Sequence, residues 1–301
     1  MPSTDPPTPT SRYAELTWPE VAEWVARDPV LVIPVATLED HGYHLPIDTD
    51  AVIAETLADR AVTERPGRAL LLPTVTHGYT PHHMDFPGPI TIGWKTFVDH
   101  LVDIGRSLLH HGFRRILFVN GHGSNVPLVD MAARLIMLEE RDAIAATFWY
   151  LSSPKSAELL AETRSSEVPG GMAHACELET SLYLYLDADN VREDKIANGT
   201  ISFNEEESPF SWVDCFATGP ATVISWTASY SETGVLGEPE LASVEKGERA
   251  YNEAVTQLVR FVTWFKERPK DVRRDRHRRP ATIPMPWGQL SPTSQDDEEA
   301  T

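Results

Sequence analysis

The chain has 301 residues, 41% of them hydrophobic and 24% charged, and a formal net charge of -19 at pH 7. Such a length and apolar content can bury a large core, and no apolar run approaches the roughly 20 residues of a membrane-spanning helix, so a soluble globular protein with the cytoplasm as its default compartment is expected. The acidity disfavours nucleic acid as a partner, because binding phosphates takes clustered cations.

Residues 1–11 are rich in Pro, Thr and Ser and carry no apolar stretch, so they read as a disordered lead and not as a signal peptide. From residue 30 onward, buried strand-like runs alternate with helical periodicity, the pattern of βαβ units and a mostly parallel sheet. Strands are predicted over 30–35, 69–73, 115–119 and 143–151, with helices over 51–62, 96–111 and 127–139 between them. A proline-interrupted loop is expected up to Gly171, then a helix beginning near His174. Residues 187–240 show only short candidates, among them a strand over 221–226, and a long helix over 241–266 closes the domain. Residues 12–266 thus form one domain, and 267–301 a polar tail whose basic stretch, 268–279, reads as a mobile tail or a subunit clasp. Only two cysteines occur, Cys176 and Cys215, and both are expected to be thiols.

Chemistry concentrates after the first strand, where Glu39-Asp40-His41-Gly42-Tyr43-His44 and Asp48-Thr49-Asp50 place four carboxylates and two imidazoles within twelve residues. Charged groups at the end of a buried strand must be paired or ligated, since isolated burial costs several kcal/mol or more. A divalent cation would satisfy them; a solvated polar loop is the plainer reading. Two further segments favour the metal reading: Asn120-Gly121-His122-Gly123-Ser124-Asn125, where glycines flank a histidine and permit close backbone approach, and His174-Ala175-Cys176-Glu177-Leu178-Glu179 at the start of an apolar helix. In open α/β sheets ligands bind beyond the carboxyl ends of the strands, so these clusters can meet at one rim.

Four ordered motifs carry a resemblance: Glu39-x-His41-Gly42-x-His44-Leu45-Pro46-x-x-Thr49-Asp50, Phe86-Pro87-Gly88, Asn120-Gly121-His122-Gly123-x-Asn125, and His174-Ala175-x-x-x-Glu179-Thr180-Ser181. Together they resemble the creatininase, or creatinine amidohydrolase, family, from Leu16-Thr17-Trp18-Pro19 to Glu245-Lys246-Gly247. The resemblance implies a Rossmann-like layered α/β fold, a homo-oligomer with the hexamer favoured, and a two-metal hydrolytic site. It places Glu39, His41, Asp50, His122 and Glu179 at metal-ligand positions, with Asp50 as the bridge, two ions of Zn, Mn or Fe as cofactors, and His44 orienting a ligand through its ring N–H. His174 takes the position of a catalytic or substrate-contacting histidine, which could give a proton to the leaving nitrogen; a structural histidine at a helix start is the alternative.

Enzymes acting on creatinine carry an aromatic and a glutamate after the motif histidine, where this chain has Gly123 and Ser124, so creatinine is not the expected substrate. His82-His83 stands where Glu-His is common, suggesting either an altered pocket wall or two surface histidines. The aromatics Phe148, Trp149 and Tyr150 either line the pocket or fill a buried strand. The implied activity is metal-dependent hydrolysis of a C–N bond in a small-molecule amide, cyclic amide or formamide. Opening of a keto-inositol ring and cleavage of a modified peptide are the enzymatic alternatives, and a metal-stabilised binding protein is the non-enzymatic one.

Overall fold

The computed structural model describes residues 10–138, 142–150, 154–167, 170–196, 210–211, 214–215, 220–221, 223–270, 276 and 278–279. In chain order the elements are α1 (Trp18–Ala26), β1 (Val30–Val35), α2 (Thr49–Thr63), β2 (Ala69–Leu71), α3 (Trp94–His110), β3 (Arg115–Asn120), α4 (Val126–Ile136) and β4 (Ile144–Trp149). They continue with α5 (Pro154–Thr163), β5 (Met172–His174), α6 (Glu177–Asp187), β6 (Leu236–Gly237) and α7 (Val244–Glu267).

The main sheet has the order β2-β1-β3-β4 and every pairing in it is parallel, with Val30 opposite both Ala69 and Arg115 and Asn120 opposite Trp149. Its central strands read as unbroken apolar runs because both faces are covered. Along β1, Val30 and Val32 pack with Ile53, Leu57, Leu182 and Leu258 from α2, α6 and α7, while Leu31, Ile33 and Val35 pack with Phe97, Leu101, Val129 and Ile136 from α3 and α4. Alternate side chains of a strand point to opposite faces, so one six-residue run seeds both layers. Pro34 is tolerated here because pairing with β2 ends at Val32, and the proline carbonyl accepts from the Val75 N–H at 2.9 Å.

Two sequence expectations are corrected. Residues 154–163 form α5 where a loop was expected: Pro154 stands at the helix start, where its missing N–H costs nothing, and Lys155 pairs with Glu158 one turn on. Of the strand expected over 221–226, residues 223–226 lie in no strand; Val223, Ile224 and Trp226 are exposed, leaving nothing for a sheet face to bury. The predicted ends at Glu139 and Leu151 lie outside the described residues, as do 1–9 of the lead and most of the tail. Ser11 is fixed, its carbonyl accepting from the Leu71 N–H at 2.8 Å. At the other end, the Arg115 guanidinium donates to the carbonyls of Phe265 and Arg268 at 2.8 Å each, tying the end of α7 to β3. Among the described residues no helix is long and apolar enough to cross a membrane. Cys176 and Cys215 are both free thiols.

Candidate metal centre

The parallel sheet sends the ends of β1 and β3 to the same rim. Glu39 and His41 follow β1, His122 follows β3, Asp50 sits in the first turn of α2, and Glu179 in the first turn of α6, where a carboxylate also complements the helix dipole. His174 ends β5, and Ala175 then takes a left-handed conformation, φ 49°, unusual for a residue with a Cβ. That kink turns the chain so that the Ala175 N–H donates to Glu179 Oε2 at 2.5 Å, locking His174 and Glu179 into one unit.

All six predicted site residues converge and are buried. Asp50 faces two ways: Oδ1 lies 3.3 Å from His41 Nε2, and Oδ2 lies 3.1 Å from His122 Nδ1. Glu39 Oε1 is 3.1 Å from His122 Nδ1, and Glu179 Oε1 is 3.8 Å from His41 Nε2. Three triads bring candidate ligand atoms within 4.8 Å of one another: Glu39, Asp50 and His122; His41, His174 and Glu179; and Glu39, His83 and His174. Glu39 Oε1, His41 Nε2 and Asp50 Oδ2 are buried without an aligned hydrogen bond, an arrangement that is costly unless something ligates them. Nitrogen and oxygen donors in this mixture fit divalent cations such as Zn²⁺, Mn²⁺ or Fe²⁺.

The electrostatics agree. Burial pushes Glu39 up, but His122, His83 and His174 outweigh it and hold the carboxyl well below its ordinary range. Burial likewise opposes charge on His122, yet Glu39 and Asp50 push it up to about 10, and Asp50 and Glu179 raise His41 in the same way. The carboxylates on either side thus favour a proton on both imidazoles, and a cation would compete with it for the same lone pairs. His174 goes the other way, lowered by burial and by the neighbouring His41 and His83. Its Nε2 is 2.7 Å from the Asp40 carbonyl, which can only accept, so the ring hydrogen sits there and the Nδ1 lone pair faces Glu39 Oε1 at 3.7 Å.

Several participants were not identified from the sequence. Thr80 donates its hydroxyl to Glu39 Oε2. His83 is no surface histidine: it is buried, its Nδ1 lies 2.6 Å from Asp40 Oδ1, and its ring centroid is 4.4 Å from that of His174. The only sequence signal was the His82-His83 pair before Phe86-Pro87-Gly88. His82 is half-buried, stacks over His122 with centroids 6.0 Å apart, lies 3.4 Å from Ser124 Oγ, and is pushed down to about 3 by burial and by His83. His44 reaches Thr180 Oγ1 at 2.8 Å, beside Glu179, instead of a carboxylate or imidazole of the centre. Of the glycines flanking His122, Gly121 serves close approach, since a Cβ there would lie 2.8 Å from the Asp50 carbonyl oxygen; at Gly123 a Cβ would meet nothing within 4 Å, so close approach does not require that glycine. Tyr150 is buried, while Phe148 and Trp149 pack partly buried against the core.

A parallel α/β sheet with a buried Glu/Asp/His centre at its carboxyl rim defines a layered α/β enzyme of the hydrolase kind. The chain belongs to the creatininase family: the family model described as creatinine amidohydrolase matches residues 14–262. The chain is 33% identical to the mycofactocin precursor peptide peptidase of Mycolicibacterium smegmatis, over 80% of this chain and 87% of that one. It is 30% identical to the creatinine amidohydrolase of Pseudomonas putida, over 78% and 89%. Its fold matches a solved mutant creatininase described as of the Zn–Zn type, with a TM-score of 0.73 at 26% identity, covering 86% of this chain and 99% of that one.

Proposed function

We propose that this protein is a two-metal hydrolase that cleaves a C–N bond of the peptide or amide type in a short peptide or peptide-like small molecule. The observation that carries the reading is Asp50, whose two carboxylate oxygens each face a different histidine at 3.1 to 3.3 Å. Glu39, His122 and one oxygen of Asp50 would hold one cation, and His41, Glu179 and the other oxygen of Asp50 the second. When bound, such a pair supplies Lewis-acid chemistry, making water a better nucleophile at neutral pH and polarising a carbonyl.

The residues of the chain do the rest. Thr80 fixes Glu39 from behind, so the carboxylate presents a single oxygen, Oε1, to the centre. His174 has its hydrogen on Nε2, committed to the Asp40 carbonyl, which makes Nδ1 an acceptor. The resemblance to the family assigned His174 the delivery of a proton to the leaving nitrogen; the hydrogen-bond pattern favours instead removal of a proton from the attacking water. The named peptide peptidase among the relatives supports a peptide-like substrate over a compact ring, and Gly123 and Ser124 supply neither an aromatic side chain nor a carboxylate to hold such a ring. Assembly as a homo-oligomer, with the hexamer favoured, completes the proposal and is read by sedimentation.

The test is a screen of the zinc- and manganese-loaded protein against short peptides, formamides, keto-inositols and creatinine, with products identified by mass spectrometry. Cleavage of a peptide with the mass gain of one water is the expected result. Efficient turnover of creatinine or of a keto-inositol, with no peptide cleaved, would overturn the substrate assignment.

A further inference from the structure

A cavity of about 800 Å³ opens between α3 and the edge of the main sheet, and none of the residues of the metal centre lines it. Its floor is sheet: Ile33 of β1 and Leu72, directly after β2. One wall is a stripe of α3, Thr96, His100, Ile104 and Ser107, continued by His111 just past the helix. Spacings of four, four, three and four keep these residues on one side of a helix. A different stripe of α3, Phe97, Leu101 and Leu108, is buried in the core and fixes how the helix lies. The opposite wall is the chain from Pro73 to His77. It stays bonded to β1, with the Leu72 N–H donating to the Val32 carbonyl and the Val75 N–H to the Pro34 carbonyl, each at 2.9 Å. Both walls are therefore held in place, and the gap between them is built into the fold.

The lining has two kinds of surface. At the base Ile33, Leu72 and Leu108 are buried, and Ile92 and Ile104 are half-buried along the sides. At the rim stand the exposed imidazoles of His77, His100 and His111. Among the described residues the lining holds no carboxylate, although the chain has 45 Asp and Glu and a formal net charge of -19. Acids beside the groove are engaged elsewhere: Asp99 pairs with Lys95 at 2.5 Å, Asp103 with Arg106 at 3.3 Å, and Glu55 accepts from the Thr74 hydroxyl at 3.0 Å.

Cavities of about 300 to 1,000 Å³ with an apolar lining and a few polar groups are the kind that take small molecules. An imidazole carries an N–H in its neutral and its protonated form, so this rim can donate to an anion while the floor takes hydrocarbon. From Thr96 to His111 a helix rises by roughly 22 Å at 1.5 Å per residue, a length that suits a chain better than a compact ring. We propose that the groove binds an elongated aliphatic carboxylate, a molecule of the fatty-acid class. The hydrocarbon lies over Ile33, Leu72, Ile104 and Leu108, and the rim imidazoles hold the carboxylate. This site is separate from the metal centre and does not depend on the hydrolase reading.

The experiment is isothermal titration calorimetry of the full-length protein with sodium decanoate, with 1-decanol as the uncharged match. Saturable binding of about one decanoate per chain is expected, as for a single preformed pocket. Ile104→Asp puts a charge on the apolar side, and Ser107→Trp fills the groove from an exposed position, which keeps the test open if the first variant folds poorly. Each is expected to weaken both ligands about tenfold or more. Replacing His77, His100 and His111 together by Ala should weaken decanoate about tenfold or more, the scale of losing a hydrogen bond to a charged group, and leave 1-decanol nearly unchanged. No saturable binding to the wild-type protein, or undiminished binding in the folded Ser107→Trp variant, would overturn the proposal. Equal weakening of the two ligands in the triple variant would overturn the carboxylate assignment. Failure to bind decanoate, with an oligomer that dissociates in Ser107→Trp, would overturn the proposal by making the groove a contact between copies of the chain.

Discussion

Replacing Asp50 by Asn is the sharpest perturbation of the centre, because it preserves shape and removes one charge. Glu39, Asp50 and Glu179 bring three negative charges to a buried region, against four positive charges on two divalent cations. Asparagine leaves two negative charges and exchanges one ligating oxygen for an NH₂ group, which has no lone pair to offer a metal. In the wild-type geometry Oδ1 serves the His41 side and Oδ2 the His122 side, at 3.3 and 3.1 Å. Whichever way the amide turns, one side loses its donor. Loss of a mere outer partner of a ligand already weakens metal binding by about 10 to 100-fold; loss of a direct, charged donor is expected to exceed about 100-fold at one position, or about 3 kcal/mol, and to weaken the other through the lost charge. The assay is competition with a chromophoric chelator, with elemental analysis of the dialysed protein and circular dichroism to confirm the fold. A variant that retains two cations at wild-type affinity would refute the bridging role of Asp50.

His174→Ala is expected to keep both cations and the fold while turnover falls by roughly a hundredfold or more, measured as kcat with metal content checked in parallel. Gly121→Ala should drive a Cβ to 2.8 Å from the Asp50 carbonyl and 3.0 Å from the Ala54 Cβ; overpacking of this kind costs about 1–3 kcal/mol, and the displaced start of α2 should lower metal affinity as well as the melting temperature. Away from the centre, burial pushes Glu177 up, but Lys246 and the Ser165 and Ser166 backbone N–H groups win and lower it below its ordinary 4.5. Its contribution to stability is therefore present above about pH 4.5 and lost as pH falls through the lowered value, so thermal melts of Glu177→Gln should vary less than wild type over that acid range. Creatinine should be turned over poorly, since Gly123 and Ser124 supply neither an aromatic ring nor a carboxylate; kcat/KM on creatinine equal to that on a cleaved peptide would contradict this.

The legibility of the site in the sequence followed the distance over which its signals act. Glu39, His41 and Asp50 fall within twelve residues after an apolar run, and the βαβ alternation implies a parallel sheet whose strand ends share one rim, so His122, after the strand predicted to end at Val119, can be brought to it; that the two strands are direct neighbours is seen only in the structure. Asp40 stands in that same cluster and His83 in the His-His pair, but nothing in the sequence signals that the two meet. Their contact joins two loops across the site, and a histidine in a His-His pair looks the same in sequence whether it is exposed or bound to a buried carboxylate. The Ala175 kink was likewise hidden, because alanine seldom adopts a left-handed conformation. The helix α5 is hidden because a proline marks a loop interruption and a helix start alike, and the apolar residues at 221–226 match a strand pattern although the fold leaves Val223, Ile224 and Trp226 exposed.

The most direct test of the two-metal hydrolase account is a titration of activity against bound metal. Protein stripped with a chelator is reloaded with Zn²⁺ or Mn²⁺ in steps, and hydrolysis of a peptide substrate is followed at each step. The account predicts no hydrolysis in the stripped protein and a rise that levels off at about two equivalents per chain. Full activity in the stripped protein, or a plateau reached with no metal bound at Glu39, His41, Asp50, His122 and Glu179, would contradict it.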